Sequence, residues 1–175
     1  MQTLAFWSII DNSRHFADPY DGIKSALCDL TREEILSFDH ILSENIAEAC
    51  TFPLLAANFA IASYVSDESF REFRAWLISR GFEKFTKALV DIESIAEWLS
   101  KEAVDGIGGA SMLAVAQDAY VEKYGDDDFL ERVKFVPDPV IIQDWPEDKT
   151  EYRRRWPKLV DKFWNAKRIH ELHAD

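Results

Sequence analysis

The chain is poor in cysteine, histidine, glycine and proline, with two, four, six and six of them among 175 residues. Its two thiols, Cys28 and Cys50, have no cysteine or histidine near them at ligand spacing, which excludes a disulfide framework and a zinc site. Two reduced, half-buried thiols are expected instead. The glycine run Gly106-Ile-Gly-Gly109 follows no strand and lacks the Lys-Ser/Thr of a phosphate loop, so it reads as a breaker. Also missing are a Gly-x-Ser-x-Gly elbow, a His-Glu-x-x-His pair and any Cys-His pairing at recognisable spacing. No catalytic residue is assigned on this basis. His170 and His173 stand three apart and offer only two nitrogens, so no metal and no other cofactor is expected.

Long apolar runs are absent too. The longest, Leu54 to Val65, covers 12 residues and is interrupted by Asn58 and Ser63, well short of the roughly 20 needed to cross a bilayer. The opening Met1-Gln-Thr-Leu-Ala-Phe-Trp7 has no basic stretch and its apolar run stops at Asp11, unlike a signal peptide. A cytoplasmic location is the expectation, with no membrane partner. Positive charge is scarce: 20 Lys and Arg face 32 Asp and Glu, for a net charge of -12. That balance repels phosphate backbones and anionic lipid, so nucleic acid is not an expected ligand. The deficit is uneven, because residues 151–175 carry seven basic and four acidic side chains, net +3, against -15 on the first 150. A basic tail on an acidic body is expected to dock on its own domain.

Apolar material is plentiful, at 47% hydrophobic residues with 12 Phe and 6 Trp. A chain of this length can bury about 70% of its unfolded surface without a staple. The expected fold is mostly α: one compact multi-helix domain with an extended segment near the C-terminus. Residues 1–125 form the helical core, and residues 126–175 supply an acidic loop, the extended segment and a closing helix.

Periodicity places the elements. Leu4, Trp7, Ile10 and Arg14 share a stripe in a first helix that ends before Pro19. Ile23, Ala26, Leu27 and Leu30 mark a short second one. Thr31-Arg-Glu-Glu34 is a capping box that starts a helix at Arg32. Ile35, Phe38, Leu42, Ile46 and Ala49 line its buried stripe, Glu33, Glu44 and Glu48 its wet acidic face, and Pro53 stops it. Leu54 to Val65 is apolar all round and reads as the central helix of the bundle. Ser66 caps the next helix, Asp67 and Glu68 suit its positive end, and Gly81 stands where a left-handed C-terminal residue is wanted. Phe82, Phe85 and Leu89 point inward from a following helix, Ile92, Ile95 and Leu99 from another. Met112 to Tyr120 marks one more, ending near Gly125. Asp126-Asp-Asp128 reads as a solvated loop rather than a calcium site. Two prolines and β-branched residues make Phe135 to Trp145 extended, and a short helix from Trp156 to Ile169 closes the chain.

Phe6-Trp7 with Ile10-Asp11, the Glu34 to Asp39 stretch, and above all Ser66-Asp67-x-x-Phe70-x-x-Phe73-Arg74-x-Trp76-Leu77-Ile78-x-x-Gly81 resemble the bacterial domain-of-unknown-function family 4240. The resemblance covers residues 1–125. It departs from the family pattern at Phe82, where a polar residue is usual, and at Ile92, where a proline is usual. It implies one domain in a bacterial cytosolic setting and brings no activity with it.

Among the charges Arg74 stands out, because it lies among Phe70, Phe73, Trp76 and Ile78 and must either snorkel or find a carboxylate. Asp67, two turns earlier, or Asp11 or Asp39 from neighbouring helices are its candidate partners. The result is either a buried clasp between helices or an anion- or partner-binding site. The six tryptophans fall mainly on apolar stripes, so Trp76 belongs to the core unless it anchors an interface. Trp145, between Asp144 and Pro146, is expected to be half exposed. Two functions remain open: an acidic, inhibitor- or immunity-like module that binds a basic protein, or an enzyme of unrecognised type with an Arg/carboxylate pocket. Oligomeric state is not determined by the sequence.

Overall fold

Side-chain caps set several helix starts. The Thr31 hydroxyl accepts the Glu34 N–H at 3.3 Å and the Glu34 carboxylate accepts the Thr31 N–H at 2.9 Å, the reciprocal box that opens α3 (Arg32–Glu48). Ser66 opens α5 (Asp67–Ser79) in the same way, with Ser69 as the reciprocal partner. Asp18 and Thr51 cap α2 (Pro19–Cys28) and α4 (Phe52–Ala62), so Pro19 and Pro53 stand in first turns, where no N–H is needed. Pro53 therefore begins α4 rather than stopping α3, which ends at Glu48.

The computed structural model describes residues 1–125, 128–142, 145 and 148–165. Among these residues every regular element is helical: α1 (Thr3–Ser13), α2 to α5, α6 (Phe82–Val90), α7 (Ile95–Trp98), α8 (Ala110–Tyr124), α9 (Phe129–Arg132), α10 (Lys149–Arg155) and α11 (Pro157–Phe163), with 3-10 turns at Ile92–Ser94 and Val104–Gly106. The fold is mostly α. No single described helix is long and apolar enough to cross a membrane, and α3 with α4, which together have the length, are bent by 86°.

Helix α1 buries Phe6, Trp7, Ile10 and Ser13, while Leu4 is 78% exposed. The expected stripe shares Trp7 and Ile10 with the real one but is rotated. What decides the phase is tertiary: Phe6 packs on Phe38 of α3, ring centroids 4.7 Å apart. Phe82 is likewise half exposed, lying over Trp7 at 5.3 Å, while Phe85 and Ala88 turn inward. Residues expected to form one helix from Ile92 to Leu99 split into a 3-10 turn followed by α7.

The hub is α8, not α4. Helix α8 touches α2, α3, α5 and α9, whereas α4 is packed by α5, α11 and the two 3-10 turns. Small residues explain the close approach: Ala116 and Ala119 are fully buried, and a side chain on Gly109 would collide with the backbone carbonyl of Glu72 on α5.

Beyond α9, residues 133–142 run as a strap without helix or strand. Helix α10 was not foreseen, and the closing helix starts at Pro157; residues 166–169 of its expected span lie outside the described residues. Helices α10 and α11 bury Tyr152 and Val160 against Ala56 of α4, with Phe59, Trp156 and Trp164 around them. The Glu93 carboxylate accepts the backbone N–H groups of Lys158 and Leu159 at 2.6 and 3.3 Å, and Lys162 donates to the Ala96 carbonyl at 2.7 Å.

Candidate functional site

Helix α5 carries Arg74 at a position only 2% exposed. Its Nε donates to the Phe70 carbonyl at 3.2 Å, Nη1 donates to the Ile46 carbonyl at 2.7 Å and to Asp138 Oδ1 at 2.8 Å, and Nη2 donates to Asp138 Oδ2 at 2.7 Å. The guanidinium also lies over the Phe70 ring, 4.5 Å from its centroid. Its partner comes from the strap, where Asp138 sits between Pro137 and Pro139. A residue before proline is driven out of the α region and the preceding proline fixes its own φ, so this acid is held on a stiff, extended backbone. Hydrogen bonding from Arg74 holds the Asp138 carboxyl below the usual carboxylate range. Arg71 lies on the same carboxylate at 3.9 Å.

None of the three acids expected to meet Arg74 does so. Asp11 accepts the Phe82 N–H at 3.3 Å and faces Arg14 at 3.5 Å, tying α1 to α6. Asp39 stays half-buried on α3, where burial pushes its carboxyl up to about 6 against the opposing pull of Arg71 and His40. Asp67 lies exposed at the first position of α5 with no ion-pair partner among the described residues. The true partner stands 64 residues beyond Arg74, and its one sequence signal is an acid flanked by two prolines.

Arg74 and Asp138 line a recess of about 440 Å³. The α3–α4 junction contributes Cys50, Phe52 and Leu55, α5 contributes Asp67, Phe70 and Arg74, and the strap contributes Asp138, Pro139 and Ile141, with Trp145 following. Trp145 is 43% exposed, in edge contact with Phe52 at 5.6 Å and Phe59 at 5.9 Å. Of the six residues singled out from sequence, the recess gathers Asp67, Arg74 and Trp145. Trp76 is a core residue, 4% exposed and stacked between Phe73 and Trp98 at 5.7 and 5.6 Å.

The chemistry open to the recess follows from what its groups already bind. Arg74 has engaged four of the five N–H donors a guanidinium possesses, so it is a clasp between α3, α5 and the strap rather than a free anion receptor. Cys50 donates to the Pro139 carbonyl at 3.5 Å, burial pushes its thiol up, and among the described residues no histidine lines the recess to activate it. No group of three His, Cys, Asp or Glu side chains is placed to hold a metal among the described residues; His170, His173, Asp126 and Asp127 lie outside them. What remains available is the Asp67 carboxylate and the open part of Trp145.

Elsewhere on the body, Lys24 pairs with Glu122 at 3.1 Å, Lys87 with Glu97 at 2.7 Å and Arg132 with Asp128 at 2.6 Å. Glu44 faces His40 at 3.4 Å. Glu33, Glu48 and Glu68, all exposed, share with Asp67 the lack of any such partner among the described residues.

No curated protein and no solved structure matches the chain. A family model described as a protein of unknown function (DUF4240) matches residues 1–122. The matched span runs from α1 into α8, so the walls from α3, α4 and α5 fall inside it, whereas Asp138 and Trp145 lie beyond it. On that match over most of its length, the chain belongs to the DUF4240 family.

Proposed function

We propose that this protein is a non-enzymatic binding module of the bacterial cytoplasm that engages a basic protein through its acidic face, as inhibitor- or immunity-type proteins do. The observation that carries this reading is the set of exposed carboxylates left without cations among the described residues, Glu33, Glu48, Asp67 and Glu68, on a chain whose 32 acidic side chains outnumber its 20 basic ones. A field of one sign at a surface raises the encounter rate with an oppositely charged partner and suppresses wrong ones. The clasp geometry of Arg74 supports binding over catalysis, since the cation an Arg/carboxylate enzyme would present to substrate is occupied by Asp138 and Ile46.

Capture of partners from native cytosol at low and at high salt tests the proposal. A basic protein retained at low salt and released at high salt is the expected outcome. Reversing charge at Glu33, Glu44 and Glu48 slows its association by on the order of tenfold and leaves melting nearly unchanged. Binding indifferent both to salt and to these reversals sinks the acidic-face reading, and turnover in a broad metabolite screen replaces it with the enzyme class.

A further inference from the structure

We infer that the recess between α5 and the strap receives one arginine side chain of a basic partner, its guanidinium placed between the Asp67 carboxylate and the Trp145 ring. The inference rests on the proposed binding role and names the place where that partner is read.

Three features of the recess select this occupant. First, among the charged groups that line it, Arg74 and Asp138 neutralise each other at 2.7 and 2.8 Å, whereas Asp67 is exposed and has no cation among the described residues; Arg71, 3.9 Å from Asp138, is not part of the lining. An anion entering here would meet an uncompensated carboxylate and a guanidinium already satisfied; a cation would meet a carboxylate seeking one. Second, an aromatic wall is open. Trp145 is held by edge contacts to Phe52 and Phe59 yet stays 43% exposed, and a cation over an indole face gains from the ring quadrupole. A planar guanidinium does both jobs at once, forking onto a carboxylate and stacking on a ring, which a lysine ammonium cannot. Third, the strap continues the surface outward. Ile141 lines the recess, while its neighbours Val140 and Ile142 are 84% and 86% exposed, as the alternation of an extended chain requires. They supply apolar contact to the partner chain flanking the inserted residue. The volume, about 440 Å³, lies within the usual range of small-ligand pockets.

Titration of the full-length ¹⁵N-labelled protein with acetyl-Gly-Arg-Gly-amide tests the recess by itself. Its lysine and citrulline counterparts serve as the ammonium and neutral comparisons. The arginine peptide is expected to shift the Trp145 indole signal and the amides of Asp67 and Phe70, and to bind more tightly than either counterpart. Asp67→Asn and Trp145→Ala are each expected to weaken it about three- to fivefold. Asp67 is exposed, so its variant keeps the fold. Should Trp145→Ala loosen the strap, Trp145→Phe gives an intermediate affinity on an intact ring wall. Equal binding of the citrulline peptide, shifts that map elsewhere, or an Asp67→Asn variant that binds like the parent would overturn the inference, and a lysine peptide that binds as tightly as the arginine one overturns the choice of arginine. An oligo-arginine chain that binds in a salt-sensitive way without perturbing Trp145 overturns the recess alone and leaves the acidic-face proposal standing. Tripeptide binding at Trp145 with no salt-sensitive basic partner in cytosol upholds the recess and removes the proposed partner class.

Discussion

Arg74 and Asp138 meet as a two-pronged ion pair across 64 residues of chain, with N···O distances of 2.8 and 2.7 Å. The two ends differ: the guanidinium is 2% exposed, whereas the Asp138 side chain is 33% exposed. Removing one partner therefore does not have the same consequence as removing the other.

Losing Arg74 leaves Asp138 free to hydrate, but it opens a cavity and orphans the Ile46 carbonyl. Arg74→Ala is expected to cost about 2 to 4 kcal/mol by urea unfolding, and Arg74→Lys to recover little, since an ammonium cannot reach both Asp138 oxygens and Ile46 together. Asp138→Asn leaves a buried cation without its charge partner and is expected to cost about 3 kcal/mol, with Trp145 emission shifting to the red as the strap lifts. In a double-mutant cycle the two sites should couple strongly; additive effects would show that the pair does not hold the strap.

Acidity acts on this region in two opposite senses. The Asp138 carboxyl is held low by Arg74, so its contribution is present above the unfolded value and is lost as pH falls through the folded one. Asp39 is raised by burial from 3.8 to about 6, so its contribution is full below 3.8 and disappears as pH rises through about 6. Asp39→Asn should thus stabilise the protein at neutral pH, by on the order of 1 to 3 kcal/mol, with the gain fading as pH drops. A melting difference that stays constant across that window would show that Asp39 titrates normally.

Gly81 joins α5 to α6 at a φ of 98°, a region that side chains rarely adopt. Any Cβ there would also strike Asp11 Oδ1, the acceptor of the Phe82 N–H. Gly81→Ala is expected to cost about 1 to 3 kcal/mol. Adding Asp11→Ala removes the Asp11 contact but neither the one with Arg14 Nη1 at 2.6 Å nor the backbone strain, so the double variant should remain less stable than Asp11→Ala alone.

Glu93 caps α11 from a distance through the Lys158 and Leu159 N–H groups. Glu93→Ala is expected to cost about 1 kcal/mol, confined to the C-terminal helices. Hydrogen exchange should quicken across 158–163 and stay unchanged in α5. Uniform loss of protection would mean that the tail and the body unfold as one unit.

Where a feature depends on residues within one or two turns, it can be read directly from the chain. The Thr31 box, the Ser66 cap, the positive φ of Gly81, the helix end at Gly125 and the buried stripes of α3 and α5 are all of this kind, because a cap or a helix face is satisfied by neighbours three or four positions away. The all-helical class and the half exposure of Trp145 follow from the same local rules. Short stripes are weaker: α1 offers Leu4 and Phe6 equally, and only the ring of Phe38 selects Phe6.

The tertiary structure alone decided that α8 rather than α4 is the hub, that Asp138 rather than Asp11, Asp39 or Asp67 meets Arg74, and that Asp67 and Trp145 share one recess. Each of these depends on where distant segments fold back. Apolarity all round says that a helix is covered without saying by what, and a buried cation requires a carboxylate without specifying its place in the chain. Those choices are made by packing, where Ala116, Ala119 and Gly109 let α8 approach its neighbours and two prolines hold a distant aspartate on a stiff backbone that ends at Arg74.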